Sequence, residues 1–483
     1  MAAALRLTGG LLAAALLAVA SPAVLPESAA ETVLTVDVAV VGAGASGGYA
    51  AIRLKEDYDQ NIVVIEKQSK LGGHVSTFHD EETGTNFNFG VQSFNDIGPA
   101  RDFFTRLGVE IGAAPRVPLT QRFVDFSTGE EVGYVPSSAA DRTAALQAFL
   151  AATEDFEQYI LPGYWNFPEP VDIPEDLLLP FGQFVEKYSI QACVNQVFEV
   201  TGMGVGDFEN ALTMYVLSAF GPPMIRAFLG QGTTFVPTSG RNIEVYEKIQ
   251  ARLGESLLLG STVVQSTRSD EGHVLWVKGS DGKITLVRAA KLLLAIEPTT
   301  KNMAPFSLDT TEKTVFNKFR WSNVHAGIVS HSSLPKSVSL VNIPEAGAPT
   351  NYMELPKPNF NARFDWMGGE SDNWRVLMVG DEHFTKCKAQ SLVKKNFEDM
   401  VKADTLEPKA EGSGKLKIKA WADHGAMHMH ASAEDIRAGF IQELYGLQGH
   451  RNTWWTGGAF AHQFQSVLWQ FDDILLPKLL GLE

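Results

Sequence analysis

The chain has 483 residues, 45% of them hydrophobic and 20% charged, with a formal net charge of −16. That length can build two or three closely packed modules, and the composition is that of an ordinary soluble globular protein. The acidic balance, with no basic cluster to offset it, excludes nucleic acid as a partner. No internal repeat or low-complexity tract points to a repeat protein.

In chain order, the first element is a leader. Arg6 precedes an apolar run over residues 11–19, and the small residues Ala18-Val19-Ala20 stand before Ser21-Pro22. This pattern predicts a signal peptide over residues 1–20, with Ser28-Ala29-Ala30 as a second cleavage candidate. The run is too short to span a bilayer, and no other segment spans one. The expected destination is the secretory pathway, secreted or in an endomembrane lumen. Two cysteines follow, Cys193 and Cys387; one long-range disulfide and two buried thiols both fit.

The next element is the most informative. A β-type run over residues 36–41 opens onto Gly42-Ala43-Gly44-Ala45-Ser46-Gly47. A helical pattern covers about residues 45–55, and a second β-type run, residues 62–65, ends at Glu66. This is the order of a dinucleotide-binding βαβ unit. Gly42 permits the tight turn, Gly44 lets the backbone approach a diphosphate, and Gly47 lets helix and sheet pack closely. Ala45 and Ser46 open a helix whose N–H groups face an anion. Glu66 stands where a carboxylate accepts from a ribose hydroxyl.

Further along, Leu71-Gly72-Gly73-His74 leads into an Asn-rich stretch. Residues 121–136 pattern as a hairpin and residues 139–160 as helix. Residues 161–180 are Pro-rich and extended. Residues 181–219 are helical with a glycine-rich interruption at 202–206. A helix is expected over 243–253, then a β-rich block over 257–294 with turns at Asp270-Glu271-Gly272 and Asp281-Gly282. Residues 402–419 pattern as a solvated connection. A helix over 432–445 and a final helix over about 463–480 close the chain.

These blocks together resemble the flavin-containing amine oxidase superfamily. The likeness rests on Gly42 to Gly47, Glu66 and Gly72-Gly73, then on Pro237-Thr238-Ser239-Gly240 and Ser261-Thr262-Val263-Val264. Leu294-Ala295-Ile296-Glu297-Pro298 and Trp454-Trp455-Thr456-Gly457-Gly458-Ala459 complete it. Within that superfamily, the leader, His74 after the glycine pair, and Leu447-Gln448-Gly449 before Thr453-Trp454 are similar to the fungal β-cyclopiazonate dehydrogenase family. The resemblance implies an α/β fold. Its Rossmann-like, glutathione-reductase-type FAD domain would be discontinuous (residues 34–110, 236–300 and 416–483), with an α+β substrate domain over 111–235 and 301–415. It implies FAD as cofactor, with Val263 beside the adenine and Gly458, Gln465, Ser466 and Val467 at the flavin-side motif. It also implies oxidation of an alkaloid or terpenoid-type intermediate, with oxygen or another electron acceptor as partner.

Four sets of side chains are candidates for the chemistry. His74 replaces the usual arginine after the glycine pair. It is the candidate for a covalent link to the flavin 8α-methyl, the other reading being a histidine that only hydrogen-bonds the cofactor. Trp455, with Trp454, would offer an apolar wall beside the substrate, against core packing as the plainer alternative. His424 and His428, in His424-Gly425-Ala426-Met427-His428-Met429-His430, are candidate proton acceptors; no ligand set completes a metal site there. His462 would lie near the flavin pyrimidine. No lysine matches the one amine oxidases hold near flavin N5, which weighs against simple amine oxidation. The expected function is an FAD-dependent oxidoreductase acting on an apolar small molecule. The alternatives are a redox-neutral double-bond isomerase, an amine oxidase, and a flavin-binding protein without catalysis.

Overall fold

The computed structural model describes residues 25–200, 207–407 and 414–482. The expected leader and the interruption at residues 202–206 lie outside the described residues. Strand β1 (Thr32–Val41) is the centre of the first sheet. It pairs in parallel with β2 (Ile62–Ile65) on one side and with strand Ile284–Leu294 on the other. Leu257–Leu258 extends the sheet beyond β2, and Thr453–Trp455 runs parallel to the last residues of Ile284–Leu294. An antiparallel ribbon, Thr262–Ser269 with Gly272–Lys278, hangs from the first half of Ile284–Leu294.

Val38, Ala39 and Val40 are fully buried, which is why this strand is a continuous apolar run without alternation. Helix α1 (Ala45–Ile52) packs against helix Glu244–Leu253 and helix Gln465–Leu480. The cofactor-type module is thus assembled from three stretches of chain.

The second sheet has six strands in the order Lys417–His430, Arg320–Ser330, Trp374–Gly380, Phe360–Trp366, Val338–Asn342 and Thr120–Val124. Its last pair is parallel and the rest antiparallel. Val329 faces the cluster containing Val393, Phe397 and Met400 of helix Lys386–Lys402, whereas Ala326 and Ile328 face Phe87 and Phe89. This is the two-residue period of a sheet covered on both sides. The helices Ala139–Thr153, Phe181–Tyr188 and Thr213–Phe220 build an aromatic core in which Phe149 lies 5.8 Å from Phe181 and 5.9 Å from Phe184.

Several expectations need correction. Strand Lys417–His430 belongs to the six-stranded sheet, so the third part of the cofactor module starts after it and not at residue 416. The expected hairpin over 121–136 is present but short: Val124 bridges Glu131, Asp125 N–H donates to the Glu130 carbonyl at 3.0 Å and Val132 N–H to that of Phe123 at 2.9 Å, while the other edge of Thr120–Val124 pairs with Val338–Asn342. The helix over 432–445 is split into Ala433–Arg437 and Phe440–Tyr445 by Gly439, which has φ +96°. Cys193 is buried, Cys387 is exposed, and both are free thiols, so neither the disulfide nor the pair of buried thiols holds.

Candidate active site

The carboxyl ends of three adjacent parallel strands open on the same edge of the first sheet, the position where open α/β sheets bind ligands. After β1 comes the glycine turn. A Cβ on Gly42 would lie 2.6 Å from the Ala295 carbonyl oxygen and 2.8 Å from Ile296 Cγ2, and one on Gly47 would overlap the Gly42 carbonyl oxygen. Both positions are therefore glycine for contact with their neighbours. A Cβ on Gly44 would meet only Gly73 Cα, at 3.6 Å, so that face stays open to a ligand.

Glu66 is 5% exposed, and each carboxylate oxygen accepts one backbone N–H. Its Oε2 accepts from the Ala43 N–H at 2.8 Å and its Oε1 from the Gln68 N–H at 2.8 Å. The Glu66 carbonyl also accepts from Ser261 N–H at 2.9 Å, which brings the segment before Val263 alongside. Gly72 N–H donates to the Ala43 carbonyl at 3.1 Å, so Gly72-Gly73 lies against the glycine turn.

The far end of the chain closes the same edge. Trp469 Nε1 donates to the Ala45 carbonyl at 3.1 Å, which ties helix Gln465–Leu480 to the start of α1. Neither helix has a side-chain cap, so both leave N-terminal N–H groups for an anion. Ser46 Oγ in the first turn of α1 is buried without a partner. An orphan hydroxyl, an open glycine face and two uncapped helix starts fit a dinucleotide diphosphate. The residues that would hold FAD are Gly42, Gly44, Ala45, Ser46 and Gly47 at the diphosphate, Glu66 and Val263 on the adenosine side, and Gly72, Gly73, His74 and Gly458 toward the flavin.

Gln465, Ser466 and Val467 contribute differently from the expectation. Gln465 Oε1 accepts from the Tyr246 hydroxyl at 2.8 Å, Ser466 Oγ donates to the Asn95 carbonyl at 2.6 Å, and Val467 is 2% exposed. Their side chains fix the helix start, and only its backbone N–H groups remain for a cofactor.

His74 meets the second module directly. Its Nε2 lies 3.1 Å from the His424 carbonyl, and the two imidazole rings stack with centroids 4.9 Å apart at 28°. A carbonyl only accepts, so His74 Nε2 carries the proton and Nδ1 keeps its lone pair. His74, His424 and His428 are half-buried by exposed area, with protein packed closely around their rings. Burial drives His74 down to about 4, His428 to about 3, and His424 well below the ordinary imidazole range. All three are neutral at neutral pH. His424 Nε2 and His428 Nδ1 are buried without a hydrogen-bond partner.

The histidine segment lies on a β-strand, Lys417–His430. Its register slips against Arg320–Ser330 on either side of the stretch from Ser322 to Val324, and His428 has φ +52°. Such bulges re-aim side chains beside active sites. Among the described residues no cluster suits a metal ion.

Trp455 is not a cleft wall. It is 0% exposed, with Phe316 edge-on at 4.8 Å, Phe460 stacked at 6.0 Å, and the Arg268 guanidinium 5.7 Å from its ring. His462 is likewise sealed in the core. Its Nδ1 lies 2.7 Å from the Ser218 carbonyl, and its Nε2 contacts that of Ile160. One residue was overlooked in the sequence. Glu297, just past strand Ile284–Leu294, is an acid whose burial pushes it up to about 7. A lone acid closing the apolar run Leu292-Leu293-Leu294-Ala295-Ile296 was the available signal.

Comparison with known proteins agrees with this geometry. The model of the NAD(P)-binding Rossmann-like domain family matches residues 40–107. A CLA-producing fatty acid isomerase from P. acnes superposes with a TM-score of 0.70 at 18% identity, over 91% of this chain and 98% of that one. Putrescine oxidase bound to putrescine superposes with a TM-score of 0.61 at 16% identity, over 93% and 100%. Together with the site, this fold defines an FAD-dependent enzyme with the fold of the flavin amine oxidases. Over 447 residues the chain is 31% identical to the beta-cyclopiazonate dehydrogenase of Aspergillus flavus, covering 92% of each chain. Over 469 residues it is 31% identical to an FAD-dependent oxidoreductase of Monascus ruber, covering 96% of this chain and 97% of that one. The chain belongs to the beta-cyclopiazonate dehydrogenase family of FAD-dependent oxidoreductases.

Proposed function

We propose that this oxidoreductase takes a hydride equivalent from a largely apolar, uncharged small molecule, a fungal secondary-metabolite intermediate of alkaloid or terpenoid type. Bound FAD supplies the hydride acceptor. The observation that carries the reading is the meeting of His74 with His424, and the orphan nitrogens of His424 and His428 beside it. A neutral imidazole with an unpartnered nitrogen accepts a proton from substrate or donates a hydrogen bond to it. Between these histidines the strand carries Gly425, Ala426 and Met427, none of them an acid. The test is anaerobic mixing of the enzyme with a panel of neutral indole alkaloids and terpenoids. Bleaching of the flavin by a neutral compound supports the proposal. Bleaching by simple amines alone, or product formed with no net flavin reduction, overturns it in favour of an amine oxidase or an isomerase.

The finer points of the reading have their own tests. FAD is linked covalently through His74, whose lone pair is on Nδ1 and whose neutrality makes it a competent nucleophile; acid precipitation should leave the flavin colour in the pellet. Electrons leave to oxygen, read as peroxide per substrate, or to another acceptor. The chain enters the secretory route, read from the N-terminus of the mature protein.

A further inference from the structure

Beside the loop after β2, which carries Glu66 and the exposed Lys67 and Lys70, three loops at the carboxyl edge of the first sheet run over residues 42–47, 295–298 and 456–460. They hold one ionisable side chain between them, Glu297, and no lysine or arginine. Its backbone is fixed, since its carbonyl accepts from Thr299 N–H at 2.8 Å and from Asn302 Nδ2 at 2.9 Å. The Ala459 N–H, in the loop after Thr453–Trp455, lies near enough to the Glu297 carboxyl to favour the ionised form in part, against the larger effect of burial. The Glu297 neighbours Ala295 and Ile296 press on Gly42 of the phosphate turn. The carboxyl therefore stands where the two glycine loops converge. Its Oε2 is buried without a partner, although the residue as a whole borders open space.

A diphosphate brings two negative charges to this edge, and an ionised carboxylate beside it would be repelled. A carboxylic acid has the opposite effect, because its O–H is a donor. We propose that Glu297 stays protonated in the holoenzyme and donates a hydrogen bond to the diphosphate of bound FAD, making it a further cofactor-binding residue. This rests on FAD binding, which the family membership supplies. Burial already holds the acid at about 7 before any cofactor charge is added, and a neighbouring dianion raises it further. The other titratable groups on the packed elements are distinct. Glu66 accepts two backbone N–H bonds, and Asp472, raised well above its ordinary value by burial, is hydrogen-bonded by Thr456. Lys301 on the following helix is exposed.

The consequence is a proton bound together with the cofactor. Above the acid's midpoint the proton must be lost or the diphosphate contact weakens, by up to about tenfold per pH unit for a single proton. The test uses the intact holoenzyme and its Glu297→Gln variant from about pH 6 to about pH 9. The readouts are the phosphorus NMR shifts of the bound diphosphate and the infrared band of a protonated carboxyl. Neither depends on turnover or on whether the flavin is linked to His74.

The wild type should show the acid band at neutral pH and phosphorus shifts that titrate with a midpoint above 7. The glutamine variant should lose that band and hold the phosphorus shifts constant. Glu297→Asp, which keeps an acid but shortens its reach, should retain the band while the pH-dependent phosphorus shift falls severalfold. An acid band that survives in Glu297→Gln, or identical phosphorus titrations in wild type and both variants, overturns the proposal. Loss of flavin from every preparation, wild type included, would instead count against FAD binding itself.

Discussion

At the glycine turn, function is built from backbone. Gly42 and Gly47 are there because a Cβ would strike Ala295 and the Gly42 carbonyl, and even Glu66 acts by accepting the N–H groups of Ala43 and Gln68. At the histidine strand, function is built from side chains. His424 and His428 stand on a bulged edge strand whose place beside His74 depends on the assembly of two modules. The first site is local and sterically exacting, so a single atom should destroy it. The second is assembled over long range and electrostatically soft, so changes there should alter rate and pH response while the fold survives.

The sharpest way to break this contrast is inside the turn. Gly47→Ala puts a methyl group on the Gly42 carbonyl and 3.0 Å from Ala295 Cβ. It should destabilise the protein by about 3 kcal/mol or more and leave no bound flavin, read from denaturant unfolding and flavin absorbance. Gly48→Ala, one residue on, meets nothing nearer than Ile249 Cδ1 at 3.7 Å. It should keep full flavin and shift stability by less than about 1 kcal/mol, helped by helix propensity. If both variants behave alike, the turn is not governed by contact.

A smaller effect should appear on acidification. Burial holds His74 and His428 at about 4 and about 3, below the ordinary 6.5, and also lowers His273, His424, His430 and His462. Between 6.5 and those values the unfolded chain binds protons that the folded chain refuses. The stability these histidines contribute is therefore complete above 6.5 and lost as the pH falls toward 4. Glu297 opposes this: held at about 7 against an ordinary 4.5, it gains stability on acidification across the same window. Glu199 and Asp472, also raised by burial, act in the same sense as Glu297, but six lowered histidines, His273 at about 4 among them, outnumber these three acids and leave the melting temperature falling below pH 6.5. His428→Asn should shallow that fall, since asparagine tolerates the left-handed backbone at φ +52°. A melting temperature flat from pH 7 to 5 would show that the histidines are not enclosed as described.

Smaller again, in free-energy terms, is the catalytic loss. His424→Gln and His428→Asn should each lower kcat by about a hundredfold, with flavin content unchanged. A change confined to KM would make these residues binders of the substrate's polar group rather than proton acceptors.

The same contrast explains what the sequence could disclose. The glycine turn, Glu66 and the order of strands around them follow from contacts within the βαβ unit, so residues 36–73 predicted their own structure. The C-terminal helix start was located correctly, but not the side chains of Gln465 and Ser466, whose partners Tyr246 and Asn95 are hundreds of residues away. The sequence names the histidines as candidates without a secondary structure, and they stand on a strand because Arg320–Ser330 offers a register about a hundred residues upstream. Glu297 passed unnoticed because its role depends on two loops brought beside it only by the folded sheet.

Trp455 is the last test, and the mildest. Its place before Gly457-Gly458 suggested a substrate wall, yet its backbone is a strand residue paired with Leu294 and its ring is enclosed by Phe316, Phe460 and Arg268. A wall needs an exposed face, and this indole has none. Its Nε1 is also without a partner, so replacing it forfeits packing and no hydrogen bond. Trp455→Phe should cost about 1–2 kcal/mol for the space it leaves, with kcat/KM within about twofold of wild type. Loss of activity at unchanged stability and flavin content would return Trp455 to the active site, and would mean that the ring swings out of the core when substrate binds.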